Sequence, residues 1–174
     1  ADLIQFQSTF FQLISLHNKI TEDAAVDTGF DKIFFGRSAF RLLHARLESI
    51  RFHTEIGRVL SPLEVYELLY LKNEDLLAHY FRNMYHIMKF IDMNSLADQQ
   101  YYADLLRAQL SSSESVLLFY NGLSQWGKKR AKPLIETYGL LKTLPTNVEL
   151  PSELVLQYKS SAFRQAFYDR YAKE

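Results

Sequence analysis

Residues 79–90 read HYFRNMYHIMKF, and the period followed by their large side chains decides the fold class. At about 100° per residue, Leu76, Leu77, Tyr80, Phe81, Met84, Ile87, Met88 and Ile91 fall on one continuous arc. Asp75, His79, Arg82 and His86 form a separate polar stripe, bordered by Asn83 and Phe90. Spacings of three and four, not two, describe an amphipathic helix with one face in a core.

The same period recurs outward from this stretch. A first helix is expected over about Leu3 to Ile20, with Phe6, Phe10, Leu13, Ile14 and His17 on one face and His17 at the edge of the core. EDAAVDTGFDK reads as a polar connection with room for a short turn. GRSAFRLLHARLESIRFH is a helix with the seam Ala39, Phe40, Leu43, Leu47 and Ile50. Ser61, Pro62 and Glu64 form a capping box with Pro at the first helical position. Asn73 looks like a second cap, which makes 62–92 two helices or one with a break. Further helices are expected over Leu96–Leu110, over ESVLLFYNGL capped by Ser112 or Ser113, and over Lys132–Leu144 and Ser152–Tyr171, with LPTNVELP as a loop. The expectation is an all-α, single helical bundle-like domain of six to eight helices. Residues 1–150 would form its body and 151–174 a C-terminal helical extension.

Composition limits function. At 174 residues the chain is one domain's length. Its 48% hydrophobic and 23% charged content is ordinary for a globular protein. Twenty basic residues balance twenty acidic ones, so no global field draws it to nucleic acid or anionic lipid. Zero cysteines exclude disulfides, thiol nucleophiles and thiolate metal sites. No apolar run reaches the roughly 18–20 residues that span a bilayer, and no signal peptide is seen. The chain begins with Ala1, which suggests a processed protein or an excised part of a longer one.

Candidate chemistry is sparse, and no metal or cofactor is expected. His79 and His86 lie seven residues apart, about 10.5 Å along a helix axis, whereas helical metal pairs sit at i and i+4. Arg82 between them would repel a cation. Helical ribonucleases of the HEPN type place a His after an Arg with four to six residues intervening. Arg82 and His86 miss that spacing. Arg37 with His44 and Arg46 with His53 match it, although a chain with ten Arg and five His produces such pairs by chance. No hydrolase elbow, phosphate loop or dinucleotide fingerprint occurs. KKRAK at 128–132, after Trp126 and Gly127, is the one basic cluster, either a solvated helix start or linker, or a contact for a phosphate or lipid headgroup. Arg107, Glu114, Tyr120 and Asn121 are polar groups in apolar surroundings, expected to join helices by hydrogen bonds or to line a pocket.

Five segments, FFQLISLHN, GRSAF, HYFRNMYHIMKFID, YYADLLRAQLSSSESVLLFYNGLS and KPLIETYGLL, resemble in order the phage abortive infection proteins of bacteria, the AbiC-like family. They span roughly residues 10–144. The resemblance implies a cytosolic helical domain of a parent chain tethered to the bacterial inner membrane through segments absent from this sequence. It also implies a role in anti-phage defence. It assigns no catalytic residue. Two roles follow as expectations, beside a small-ligand pocket around Arg82, Arg107 and Tyr120 that nucleotides would probe. One is a sensor or effector that binds a phage component or self-associates, with His79, Arg82, His86, Arg107, Tyr120 and Asn121 as interaction candidates. The other is an all-α HEPN-like RNase toxin using Arg37, His44, Arg46 and His53.

Overall fold

The 79–90 stretch lies inside α4 (Glu74–Asp92) of the computed structural model, which describes residues 2–50, 54–55, 58–95 and 97–173. Leu77, Tyr80, Phe81, Met84, Ile87, Met88 and Ile91 are buried, while Asp75, His79, Arg82 and His86 are exposed. The arc and the stripe read from the sequence are therefore the two faces of this helix.

Around α4 the other elements follow in chain order. Helix α1 (Asp2–Asp23) packs along α4. It buries Phe6, Phe10 and His17, while Leu13 and Ile14 are half-buried. A hairpin follows, β1 (Ala25–Asp27) with β2 (Ile33–Phe35), antiparallel with Val26 opposite Phe34. The segment expected as a polar connection with room for a short turn thus holds the first strand and the turn of a hairpin. Three residues per strand are too few for alternation to show, and the turn chemistry closes it: Gly29 takes φ 79° and the Thr28 hydroxyl donates to Lys32 O at 2.9 Å.

Helix α2 (Arg37–Ile50) packs on α3 and α6, burying Ala39, Phe40, Leu43 and Leu47. The side chain of Ile50 and all of His53 lie outside the described residues. A second short hairpin pairs β3 (Thr54–Glu55) with β4 (Arg58–Val59). Helix α3 (Pro62–Lys72) begins with the expected capping box: Ser61 Oγ accepts from Glu64 N–H and Glu64 Oε2 accepts from Ser61 N–H. Such a cap contributes about 1 kcal/mol. Asn73 does break α3 from α4, but not by capping α4. Its Nδ2 donates back to Leu69 O at 2.9 Å.

Helix α5 (Gln99–Arg107) is capped by Asp98, so it starts later than expected; Leu96 lies outside the described residues. Helix α6 (Ser112–Asn121) is buried on every side, as a helix apolar all round must be. Its cap is Ser111, not Ser112 or Ser113. The serine run made the choice degenerate, and Glu114 resolves it by reaching back to the residue three before it.

Helix α7 (Ala131–Tyr138) ends earlier than Leu144 because Gly139 takes the left-handed conformation, φ 63°, that terminates helices. The helix expected over Ser152–Tyr171 is divided into α8 (Ser152–Val155), a 3₁₀ turn (Ser160–Ala162) and α9 (Gln165–Ala172). Tertiary anchors explain the division: Tyr158 Oη donates to Phe119 O at 2.7 Å, and Lys159 N–H donates to Glu136. A straight helix could not seat both groups and also bury Phe163 and Phe167. These C-terminal side chains join the same core as α1–α7. Among the described residues there are nine α-helices and two small hairpins, one more helix than the upper expectation and otherwise the all-α architecture.

Candidate functional site

Two polar groupings stand out against this apolar core. The first lies where α2, α4 and α6 meet. Glu114 is fully buried; its Oε1 accepts from Tyr80 Oη at 2.8 Å and its Oε2 from Ser111 N–H at 2.8 Å. Arg37 Nε stands 3.9 Å from Oε2, and its Nη2 donates to Gln109 O at 3.3 Å. Burial and the adjacent carboxylate push the Tyr80 hydroxyl well above its ordinary pKa, so it stays a donor. His17 lies against Tyr80, ring centroids 4.9 Å apart, and neither ring nitrogen finds a partner among the described residues. Burial lowers its pKa, with Glu114 opposing, which keeps the imidazole neutral. This grouping is a structural network: every carboxylate oxygen is occupied and the phenol is held in place.

The second grouping is a cavity of about 250 Å³ lined by Tyr70, Ala78, Phe81, Arg82, Tyr85, Asn121, Trp126, Arg130 and Ala131. Five elements build it, α6 supplying Asn121 at its C-terminal end. Helix α3 supplies Tyr70, and α4 supplies Ala78, Phe81, Arg82 and Tyr85. The turn after α6 carries Trp126, and the entry to α7 carries Arg130 and Ala131. That turn is wound tightly on the end of α6. Ser124 Oγ donates to Asn121 O at 2.7 Å, and Gly127 lies so near that a Cβ there would stand 2.2 Å from Asn121 O. The close approach delivers Trp126 onto Tyr70, rings stacked at 3.7 Å and 14°.

Asn121 is buried in the cavity wall, its Nδ2 donating to Tyr66 Oη at 2.9 Å. Arg130 occupies the N-cap position of α7 and its side chain is exposed. The Tyr70 pKa is raised, first by burial and then by Glu74, while Arg82 pulls it back. The Arg82 charge is thus felt at the cavity wall.

The sequence-derived candidates divide between these places. Arg82 and Asn121 meet in the cavity. His79 and His86 share the exposed stripe with Arg82 but do not line it. Arg107 pairs with Asp104 at 3.2 Å and donates to Gly139 O at 3.1 Å, tying α5 to the end of α7. Tyr120 is buried and stacked on Tyr66, ring centroids 5.8 Å apart. His44 Nδ1 lies 3.2 Å from Ser113 Oγ and its Nε2 3.9 Å from Glu48. Burial lowers the His44 pKa, with Glu48 opposing. Arg46 donates to Asp27 O at 3.1 Å, fastening α2 to the first hairpin. Among the described residues no group of three or more His, Asp or Glu is placed to hold a metal.

Sequence reasoning missed Tyr70, Tyr85 and Trp126 as wall residues. The available signal is the basic KKRAK cluster directly after Trp126 and Gly127, which by sequence reads as a solvated segment or a contact for a phosphate or lipid headgroup. No helix among the described residues is long and apolar enough to cross a membrane.

Residues 72–149 match the family model described as "putative phage abortive infection protein". The matched stretch contains the last three of the five resembling segments and every cavity residue except Tyr70. No curated protein and no solved structure gives a significant match.

Proposed function

We propose that this chain is the helical sensor or effector domain of an anti-phage defence protein acting by abortive infection. The carrying observation is the family match over residues 72–149, the stretch that contains α4 to α7. That stretch also supplies eight of the nine residues of the Arg82 cavity. We take this cavity as the place where the domain is addressed by its trigger. The parent protein is tethered to the bacterial inner membrane, as the family resemblance implies, and the infected cell stops before progeny emerge.

The test expresses the native full-length protein in a bacterial host challenged with a phage panel. Efficiency of plating should fall, and cultures infected at high multiplicity should collapse without releasing phage. Plating unchanged for every phage would remove the defence role. Protection with survival of the infected cells would remove abortive infection as its mode. Recovery of the full-length protein from the soluble fraction would remove the tether alone.

A further inference from the structure

We infer that the Arg82 cavity binds a free mononucleotide. The phosphate is held between the Arg82 and Arg130 guanidiniums, and the base lies against the Trp126, Tyr70 and Tyr85 wall. The inference takes its location from the reading of this cavity as the addressed site; it does not depend on the defence role.

Charge is the first argument. Arg82 comes from α4 and Arg130 from the entry to α7, and both line one small cavity. Among the described residues neither guanidinium has a carboxylate or hydrogen-bond partner. Elsewhere in the same molecule arginines are used: Arg58 on Glu64, Arg107 on Asp104, Arg164 on Leu144 O. Both side chains are exposed, and an anion bound in the cavity they line is attracted by each of them. Exposed Lys128 and Lys129 on the adjoining turn raise the same positive potential. Guanidinium forks match phosphate oxygens in bidentate geometry, and they exclude a metal cation.

The aromatic lining carries the second argument. A bare inorganic anion needs no aromatic surface, yet Trp126 is stacked on Tyr70, and Tyr85 and Phe81 complete the lining. Rigid aromatic faces stack planar bases, worth roughly 1–3 kcal/mol per base. Asn121 adds a polar edge to this wall. With Nδ2 committed to Tyr66, its Oδ1 accepts nothing from the described residues. That oxygen is suited to an exocyclic amino group of a base. The volume, about 250 Å³, lies near the lower end of small-molecule sites, roughly 300 Å³. A mononucleotide would therefore fill it and extend from its mouth, and a dinucleotide cofactor would not fit.

The molecule holds a built-in reporter. Its single tryptophan is Trp126, in the cavity wall. Tryptophan emission of the purified chain, excited at the red edge, is followed during titration with AMP, GMP, CMP and UMP, then with adenosine and with inorganic phosphate. At least one mononucleotide should give a saturable change, and adenosine and phosphate should bind about 10-fold more weakly or worse. Arg82→Gln and Arg130→Gln should each weaken the nucleotide about 10- to 100-fold. Lys89→Gln, which removes another exposed α4 cation, should leave binding as in the wild type.

Absence of a saturable change with all four nucleotides at millimolar concentration overturns the inference. So does wild-type binding by the Arg82→Gln/Arg130→Gln double variant, or phosphate alone binding as tightly as the nucleotide. A short single-stranded oligonucleotide that outcompetes the mononucleotide overturns the assignment to a free ligand. Nucleotide binding with unchanged phage plating would sink the defence reading and leave this one standing; protection without binding would do the reverse.

Discussion

Replacing Gly127 by alanine tests whether the turn after α6 builds the cavity. A Cβ at Gly127 would stand 2.2 Å from Asn121 O, 2.9 Å from Asn121 C and 3.0 Å from Gly122 Cα. All three are backbone atoms, so no side chain can swing away to make room. A carbon needs roughly 3.5 Å from a non-bonded carbon, so the turn must lift off the end of α6 by an ångström or more. Overpacking of this kind costs about 1–3 kcal/mol, and a purely backbone clash belongs at the upper end. For a chain of 174 residues each kcal/mol shifts Tm by roughly 2–4 °C. A loss near 3 kcal/mol therefore lowers Tm by about 6–12 °C. Lifting the turn also unstacks Trp126 from Tyr70, so tryptophan emission should shift to the red, as for a more hydrated indole. Gly29→Ala is the control for backbone conformation alone, since Gly29 has φ 79° and nothing within 4 Å of the added carbon. It should cost about 1 kcal/mol and leave Trp126 emission unchanged. A Gly127→Ala protein with the wild-type Tm and emission would refute the packing argument.

Tyr80→Phe leaves one oxygen of a fully buried carboxylate without its donor; a bond to a charged group of this kind is worth about 1.5–3 kcal/mol, and a urea-denaturation change below roughly 0.5 kcal/mol would show that Glu114 does not depend on it. Ser111→Ala should destabilise by about 1 kcal/mol while Ser112→Ala stays near neutral, and equal effects in thermal melts would return the α6 cap to ambiguity. Burial holds the His17 pKa below 6.5, so the unfolded chain binds this proton more readily than the folded one. The stabilisation is then complete above about pH 6.5 and is lost as pH falls below it, by up to roughly 1.4 kcal/mol per pH unit. His17→Phe should flatten the fall in urea midpoint between about pH 7 and pH 5; an unchanged slope would move the effect to other groups.

Much of this architecture was legible from local pattern. The two faces of α4 followed from spacing alone, because a helix with one buried side must repeat near 3.6 residues. The start of α3 was written in Ser61, Pro62 and Glu64, whose cap needs only neighbours in sequence. The hydrogen-bonding role of Glu114 and Asn121 was also readable, since polar side chains inside apolar runs require partners. Which partners they take was not: Tyr80 is 34 residues from Glu114, and Tyr66 is 55 residues from Asn121.

The sequence by itself therefore determined that the chain is helical, where α3 and α4 divide, and which face of α4 is buried. Each of these depends on interactions within a few turns. Only the tertiary structure decided that Arg82 and Asn121 share a cavity with Trp126 and Arg130, that Arg107 serves the end of α7, and that the C-terminal segment is divided rather than continuous. Those outcomes rest on close approaches between distant segments: Gly127 over Asn121 O, Trp126 on Tyr70, and Tyr158 on Phe119 O. Periodicity cannot encode them, because a helical repeat specifies which side chains face inward and not what they meet there.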